Sequence, residues 1–457
     1  MRRSAVIPFV VACLIAFGWD NQGISSARVD ARLAELDPHS ATDRVRGAVL
    51  NLFRRSNDEA IYYAVANATR GLPYDFHLTF RGESMPGWFS KSPPPDGRWH
   101  APYTEVPTEY PIANLPVILL PSFGATGFEG YAFRLGLLMA SLLIAAAALA
   151  IRAQPGRDVG ERWWSMAALL FAQGGLAVQR LDALTAFLLA WTLWAAAERR
   201  HATPGVALGL ATGVKLLPSL LVPPLALADR EAWRTRPARL RGALGFAFAV
   251  SMTLGPMLLI PGALSQVLRY HNARGLHVES TFATLLGIWR LLTGTSAAAT
   301  LSFGSFNLDG PTASGLARVC MPMMVLSFAG LALGLLRAEE PGDDVSRRDR
   351  LALTLLAGVA ALWLSAKVFS PQYLTWAIPL VLAVSGARGR RLTVLLFAIL
   401  LVTQIYQCGH YETVIAQTAL GIGSLALRLA LIVAFTVMVA GGLLTRRRPL
   451  RPTRPGS

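Results

Sequence analysis

The chain has 457 residues, of which 53% are hydrophobic and only 15% are charged. Soluble globular proteins contain about 25% charged residues, so this composition excludes an ordinary soluble domain and predicts a polytopic membrane protein. The formal net charge of +16 does not indicate a nucleic-acid partner, because the arginines are concentrated in short loops between apolar stretches and at the C-terminus. That distribution is typical of cytoplasmic loops, which also bind anionic lipid headgroups.

The N-terminus begins with Arg2 and Arg3 and continues into an apolar segment, residues 4–19. This pattern resembles a signal peptide, but Gly18 to Asn21 do not form a small-residue cleavage site, so we interpret residues 1–19 as an uncleaved first transmembrane helix with a cytoplasmic N-terminus. The three cysteines, which lie in or beside apolar stretches without CxxC spacing, are Cys13, Cys320 and Cys408. Their positions predict neither a disulfide framework nor a zinc site.

A long polar segment, residues 20–110, follows the first helix and is expected on the extracytoplasmic side. Within it, the apolar spacing of residues 42–55 predicts an amphipathic helix, which lies either on the membrane surface or on the segment's own core. Asn57 or Asp58 then begins a helical run, Glu59 to Arg70. Two interpretations of Asp58 remain: its carboxylate caps this helix, or it is a general base that takes a proton from an incoming hydroxyl.

The remaining sequence divides into four parts. Residues 111–260 contain a first group of apolar stretches, and residues 261–312 form a second polar segment that is also expected outside. Residues 313–445 contain the C-terminal transmembrane helices. Residues 446–457 form a basic tail, which is expected in the cytoplasm.

Two topologies both give twelve transmembrane helices. In one, residues 111–123 span the membrane and residues 203–228 form a single kinked helix. In the other, residues 111–123 only dip into the membrane and residues 203–228 cross it twice in short helices, which neighbouring helices must shield. The topologies place residues 152–162 and 198–202 on different sides. Loop charge favours the second topology and helix length favours the first.

The second polar segment contains His271, Arg274, His277 and Glu279. Arginine and histidine offer charge-assisted donors that suit a phosphate group, and Glu279 is a second candidate base. A helix would bring His271 and Arg274 onto one face, although Gly275 fits a turn equally well. The spacing is a weak indication of a metal site, and an ordinary solvated loop is the alternative interpretation.

Two lysines occupy unusual positions. Lys215 lies inside an apolar stretch, where a charge is costly and marks a functional site; it either neutralises a phosphate or extends to the interface. Lys367, near Ser370, either contacts a phosphate or caps a helix. Arg180 and Asp182 are expected to form a polar pair in a short loop. No nucleotide-binding signature lies on a suitable element.

Short motifs follow one another in a characteristic order: Asp58 with Tyr62-Tyr63, Gly71-Leu72-Pro73-Tyr74, Glu109-Tyr110-Pro111, Gly209 to Pro218, His271 to Ser280, and Ser370-Pro371-Gln372-Tyr373. Together they resemble the GT-C superfamily of integral-membrane glycosyltransferases. The chain is most similar to glycosyltransferase family 87, the polyprenol-phosphate-mannose-dependent mannosyltransferases. Tyr110-Pro111-Ile112 stands where that family usually has Tyr-Pro-Pro.

The resemblance implies an all-α, GT-C-like bundle of about twelve transmembrane helices with a long extracytoplasmic loop after the first helix. It implies a plasma-membrane enzyme, with both termini cytoplasmic, that transfers a sugar such as mannose. The donor would be a polyprenyl-phosphate sugar and the acceptor a cell-envelope glycan or glycolipid, with inversion at the outer face. Asp58 would be the base, with Glu279 as second candidate. The candidates for binding the donor and its phosphate are His271, Arg274, His277, Lys215, Lys367, Tyr62 and Tyr63. We expect no metal and no cofactor.

A transporter or flippase of lipid-linked sugars is the main alternative, because twelve helices with breaks suit that class. However, the two halves of the sequence show no internal repeat, and transporters rarely have so long an outer loop after the first helix. A non-catalytic subunit of a cell-envelope assembly pathway is a third alternative. The partners expected in every case include the lipid bilayer and exclude nucleic acid.

Overall fold

Helices dominate the structure, a computed structural model that describes residues 57–72, 109–155, 158–295 and 298–444 together with Glu35, Ser40, Asp43 and Tyr103. Among these residues, five helices are long and apolar enough to cross a bilayer. This agrees with the predicted, mostly α-helical membrane protein. Three predicted features lie outside the described residues: the first helix (1–19), the amphipathic helix (42–55, apart from Asp43) and the basic tail (446–457).

The elements are numbered here in chain order. The helices are α1 (Asn57–Thr69), α2 (Leu115–Leu119), α3 (Gly127–Ala153), α4 (Val159–Gln173), α5 (Asp182–Ala197), α6 (Ala202–Val214), α7 (Val222–Ala228), α8 (Arg236–Leu259), α9 (Ala263–Ala273), α10 (Thr281–Thr293), α11 (Pro311–Arg337), α12 (Asp344–Ser365), α13 (Ala377–Leu382), α14 (Gly386–Gly409), α15 (Tyr411–Ile415) and α16 (Ala419–Leu444). The strands are β1 (Leu276–His277), β2 (Ala299–Ser302) and β3 (Ser305–Leu308). Short 3₁₀ helices occupy Ile112–Asn114, Leu120–Ser122, Gly174–Ala177, Leu217–Leu221 and Pro371–Trp376.

Five interhelical connections meet at one end of the bundle, which we call the basic end: residues 153–159, 197–202, 228–236, 337–344 and 382–386. Arg347 joins three of them, because it donates to the carbonyl of Ala197 and pairs with Asp229 at 2.9 Å. Asp349 accepts hydrogen bonds from Gln154 and from the backbone of Ser385, both at 2.7 Å. The loops 152–162 and 198–202, which the sequence did not place, therefore lie at the same end as the basic loops.

Residues 202–228 connect the basic end with the opposite end, which we call the cavity end, in two short segments. α6 has 13 residues and stops before Lys215, and the return consists of a 3₁₀ helix and the seven residues of α7. Pro218, Pro223 and Pro224 explain the interruption, because proline removes a backbone donor and disfavours a continuous helix. Neighbouring helices bury these short segments, so their unsatisfied backbone groups are shielded from lipid.

Residues 112–122 form a short helical segment at the cavity end, with α2 between two 3₁₀ helices. The side chain of Asn114 donates to the carbonyl of Val214, at the end of α6, at 2.9 Å. Tyr131, in the first turns of α3, donates to the carbonyl of Ile118 at 3.0 Å. This segment is therefore held at the same end of the bundle where it begins, as in the topology in which it only dips inward.

Helices α6 and α8 pack unusually closely through a regular series of small residues. Gly205, Gly209 and Gly213 recur every four residues on α6 and therefore share one face. A Cβ at Gly205 would lie 2.1 Å from the carbonyl oxygen of Gly242, and a Cβ at Gly213 would lie 2.1 Å from Thr253 Oγ1. Small residues permit such close backbone contact, which is a common basis of helix association in membranes.

The second polar segment contains a small sheet that the all-α prediction did not include. β3 lies between β1 and β2, and both pairings are antiparallel, with Leu276 opposite Leu308. Phe303 and Gly304 connect β2 to β3 with positive φ values of 51° and 67°, the geometry that two-residue hairpins require. Tyr270 donates to the carbonyl of Phe303 at 2.7 Å and so fastens the hairpin to α9.

Candidate functional site

A cavity of about 1370 Å³ opens at the cavity end of the bundle. Seven of the nine site residues predicted from the sequence line it: Asp58, Lys215, His271, Arg274, His277, Glu279 and Lys367. Its lining carries six lysines and arginines, Arg180, Lys215, Arg269, Arg274, Arg318 and Lys367, and four carboxylates, Asp58, Glu109, Glu279 and Glu412. The fold thus brings together residues that lie far apart in sequence, and it makes the cavity net positive.

Asp58 reaches the cavity from the first turn of α1. The helix is described from Asn57 onward and contains several alanines, which favour helix formation. It ends before Gly71, whose φ of 66° suits a helix C-terminus. The Asp58 carboxylate forms an ion pair with Arg180, whereas Glu59, one position further, is fully buried on another side of the helix. Only the first of the two adjacent carboxylates therefore faces the cavity.

The tyrosine pair of α1 packs into the protein core. The Tyr62 ring is 1% exposed, and its hydroxyl lies 3.1 Å from that of Tyr110. The Tyr63 ring packs against Phe128 and Tyr131. Both side chains therefore anchor α1 to the bundle, and the structure places neither of them on the cavity lining, where the sequence predicted donor contacts.

Lys215, immediately after α6, is already neutralised by a carboxylate. Its ammonium lies 2.7 Å from Asp182, which also accepts a hydrogen bond from the indole of Trp376 at 2.7 Å. The ammonium lies 4.4 Å from the centroid of the Tyr373 ring, within the range of a cation–π interaction. The predicted pair between Arg180 and Asp182 is wrong: Asp182 pairs with Lys215, and Arg180 pairs with Asp58.

Arg274 and Lys367 line the cavity, and neither forms an ion pair with a described residue. α9 ends at Ala273, so Arg274 lies in the extended segment after the helix and not on its face. Its Nε is buried and has no hydrogen-bond partner among the described residues. The Lys367 ammonium donates to the carbonyl of Asn272 at 2.8 Å. Burial and the positive charge of Arg274 lower the pKa of Lys367.

The histidines of the site are uncharged at neutral pH. Burial among protein atoms, reinforced by Arg274, Lys215 and Lys367, lowers the pKa of His271 to about 4, although its ring borders the open cavity. Burial and the neighbouring Arg274 lower the pKa of His277 to about 3. The sequence-based expectation of charge-assisted donors therefore applies to Arg274 and Lys367, while the two imidazoles offer neutral hydrogen-bonding groups.

Glu279 lies on the cavity wall but is held by several donors. Its side chain forms a buried ion pair with Arg428 at 3.0 Å and accepts hydrogen bonds from Tyr406 and from Gln407, the latter at 2.7 Å. Burial raises the pKa of Glu279, while these donors favour its charged form and hold it in one orientation. Asp58 has a more open surrounding, with a side chain that is 23% exposed.

Three charged residues of the site were not assigned from the sequence. Glu109 lines the cavity near Arg274 and His271, and its charge opposes the lowering of the His271 pKa. Arg180 holds Asp58, and Arg428 holds Glu279. Arg428 carried a recognisable signal, because it is an arginine within the strongly apolar sequence of α16. In the sequence, Glu109 stood out only as the first residue of the Glu-Tyr-Pro motif, and Arg180 only as the predicted partner of Asp182.

The cavity combines a carboxylate, a group of cations and an apolar wall, which are suitable for moving a proton and receiving an anionic leaving group. No protein-family model matches this sequence, and no curated protein matches it significantly. The site itself and the motifs of the sequence are therefore the basis for proposing a function.

Proposed function

We propose that the protein is a membrane glycosyltransferase. It transfers a sugar, mannose by the resemblance, from a polyprenyl-phosphate donor to a hydroxyl of a cell-envelope glycan or glycolipid. The observation that carries this proposal is the presence, in one cavity, of Asp58 together with Arg274 and Lys367, two cations without carboxylate partners among the described residues. Half-buried cations without an ion pair carry a desolvation cost, and a bound phosphate would offset that cost.

The proposed reaction is a single displacement. Asp58 accepts the proton of the acceptor hydroxyl, and the resulting oxygen attacks the anomeric carbon of the donor sugar. A carbon–oxygen bond forms on one face as the bond to the phosphate oxygen breaks on the other, so the configuration inverts. Polyprenyl phosphate leaves with the bonding electrons, and Arg274 and Lys367 stabilise its negative charge. Arg180 keeps Asp58 ionised and oriented.

The proposed topology has twelve transmembrane helices with residues 111–123 as a dip. The basic end faces the cytoplasm, since loops rich in arginine remain inside, and both termini lie there. The cavity then opens on the extracytoplasmic face of the plasma membrane. Two short crossings, α6 and the 3₁₀ helix with α7, belong to this count, and they end at the cavity.

The cavity wall between α9 and α11 provides the proposed path for the polyprenyl chain. Leu268 on α9 and Met321 on α11 both line the cavity, and they are 47% and 60% exposed. α8, which precedes α9, packs mainly against α6, whereas α11 packs against α12 and α7. An apolar opening between two such helices suits a lipid tail that remains in the bilayer while its phosphate reaches Arg274.

The test uses purified full-length protein in detergent with polyprenyl-phosphate mannose labelled in the sugar. The wild type is expected to release polyprenyl phosphate in proportion to labelled product. Asp58→Asn is expected to lower transfer by a factor of at least about 10² while donor binding persists. Asp309→Asn, an exposed carboxylate outside the cavity lining, is the matched control and is expected to retain wild-type activity.

Two results would overturn the proposal. Undiminished transfer by Asp58→Asn would remove Asp58 as the base. Movement of intact lipid-linked sugar across reconstituted vesicles, without cleavage of the sugar–phosphate bond, would replace the enzyme by a transporter.

A further inference from the structure

Arg428 is a buried charge in the last helix, and the proposed reaction does not use it directly. It lies in the apolar α16, is 2% exposed and is not part of the cavity lining. Burying an arginine in a helix bundle is expensive unless its donors are satisfied. The partners that satisfy it are therefore informative about its role.

The guanidinium of Arg428 contacts Tyr406 on α14 and two further chain segments. On one side it pairs with the Glu279 carboxylate at 3.0 Å and also donates to the Glu279 carbonyl. On the other side its Cζ lies 4.6 Å from the centroid of the Phe369 ring, a cation–π distance. We call residues 274–280 and 366–370 the phosphate-site segments, because the first carries Arg274 and the second carries Lys367.

The two phosphate-site segments are also joined directly to each other. The backbone N–H of His277 donates to the carbonyl of Lys367 at 3.0 Å, and His277 Nδ1 lies 3.0 Å from the carbonyl oxygen of Phe369. Tyr406 and Gln407, both on α14, complete the donors to Glu279. Arg428 thus stands at the junction of both segments and α14.

A junction at this position would hold the two phosphate-site segments in place. Arg274 and Lys367 carry like charges that repel each other, and their separation would widen if the segments were free to move. A phosphate is bound and stabilised best by cations that are already in place, since no free energy is then lost in ordering them. A remote side chain that ties both segments together supplies this preorganisation.

We propose that Arg428 is a positioning residue that fixes the spacing of Arg274 and Lys367 for the donor phosphate. This inference rests on the proposed function, in which that phosphate binds between the two cations. Arg428 acts through Glu279 and Phe369 and does not touch the substrate. The planar shape of the guanidinium is what this role requires, because its edge pairs with Glu279 while its face covers the Phe369 ring.

The experiment measures the binding of polyprenyl phosphate, and the kcat and donor KM of transfer, with full-length protein. Arg428→Lys keeps a positive charge beside Glu279, so the carboxylate is not left unpaired, but it loses the planar double contact. We expect the Kd for polyprenyl phosphate and the donor KM to rise on the order of 10-fold to 100-fold, because small displacements at a reacting group have large effects. The kcat at saturating donor is expected to change much less.

A second variant guards against a folding defect. Glu279→Gln combined with Arg428→Met removes the buried pair together, and such double replacements often preserve stability; it is expected to show the same rise in Kd and KM with an unchanged Tm. Arg348→Lys, which alters an ion-paired arginine at the basic end, is the matched control and is expected to leave Kd and KM unchanged.

The outcomes separate this inference from the function on which it rests. If the wild type binds polyprenyl phosphate and transfers sugar while Arg428→Lys and the double variant match its Kd and KM, the positioning role is overturned and the function stands. If the wild type does not bind polyprenyl phosphate, both are overturned. Loss of Tm in both variants with wild-type Kd assigns Arg428 to stability alone and also overturns the inference.

Discussion

The two ends of the bundle use the same residue types in opposite ways. At the basic end, Arg347 pairs with Asp229 and Asp344, and Arg348 pairs with Asp344 and Glu198. At the cavity end, Arg274 forms no ion pair with a described residue, and Glu109 lies near it without pairing. Arginine content therefore does not identify a site in this protein. What distinguishes the site is a pair of cations, Arg274 and Lys367, that form no ion pair with a described residue.

The cost of burial explains why this distinction has functional meaning. A buried ion pair is approximately neutral for stability, whereas removal of one partner is strongly destabilising. Arginines that pair with carboxylates and carbonyls at the basic end therefore fasten loops together. Arg274 and Lys367 are maintained against their mutual repulsion, and a bound anion would compensate both.

The largest expected effect comes from removing the uncompensated charge. Arg274→Gln is expected to lower transfer by about 10²-fold to 10³-fold, because a preorganised donor to the leaving group is lost, while Tm stays unchanged or rises. The measurement is steady-state transfer together with thermal unfolding in detergent. Arg337→Gln, an exposed arginine at the opposite end of α11, is the control. If transfer by Arg274→Gln stayed within twofold of wild type, the proposed distinction between paired arginines at the basic end and unpaired Arg274 would be wrong.

The next effect comes from breaking a compensated charge. Arg347→Met leaves Asp229 buried without its partner and is expected to lower the free energy of unfolding by about 3–5 kcal/mol. The kcat of the fraction that remains folded is expected to stay close to that of the wild type. Thermal unfolding and active-fraction titration check both parts. A large loss of kcat at unchanged Tm would show that the basic end takes part in the reaction.

Acid sensitivity should also distinguish the two ends. The folded-state pKa values of about 4 for His271 and about 3 for His277 lie below the value of about 6.5 expected in an unfolded chain. The folded state therefore binds fewer protons, so stability is complete above about pH 6.5 and declines as the pH falls toward 4. For the buried His277 the slope is about 1.4 kcal/mol per pH unit.

Thermal unfolding between pH 7.5 and pH 4.5 measures this decline. His277→Gln is expected to flatten it, whereas His201→Gln, a histidine at the basic end, is expected to leave it unchanged. An equal flattening by both substitutions would mean that the cavity histidines are not the source of the acid sensitivity.

The smallest effect on transfer is expected for Lys215, which lines the cavity but pairs with a carboxylate. Lys215→Gln removes an ammonium that Asp182 already neutralises, so transfer is expected to fall by no more than about tenfold, the equivalent of about 1.4 kcal/mol. Steady-state transfer under the conditions used for Arg274→Gln gives the direct comparison. A loss as large as that of Arg274→Gln would show that pairing does not separate structural from functional cations.

Local sequence patterns predicted most of the helices and most of the residues that line the cavity. They did not predict which side chains pair with each other. The helical run of α1 and the apolar helices followed from local sequence signals and hydropathy, because those signals are carried by neighbouring residues. The partner of Lys215 lies 33 residues away, and that of Arg428 lies 149 residues away. No local pattern encodes such pairs. The three short strands offered too few alternating residues for detection.

The charge state of the histidines was unpredictable for a related reason. A sequence shows that His271 lies near Arg274, but the lowering of its pKa depends on burial and on Lys215 and Lys367, which other parts of the chain supply. The tyrosines of α1 illustrate the converse. A conspicuous aromatic pair in a polar segment attracts a functional interpretation, although its rings pack against Tyr110, Phe128 and Tyr131.

The shortness of α6 has a consequence for the surrounding lipid. Thirteen residues extend about 20 Å along a helix axis, whereas the hydrocarbon core of a bilayer is about 30 Å thick. In the proposed topology Lys215, just after this helix, would lie about 10 Å deeper than the bilayer boundary on the cavity side. Neighbouring helices shield α6 itself from lipid, so a thinner bilayer would bring that boundary closer to the cavity. Transfer rates in reconstituted membranes should accordingly depend on acyl-chain length and be fastest in thinner bilayers.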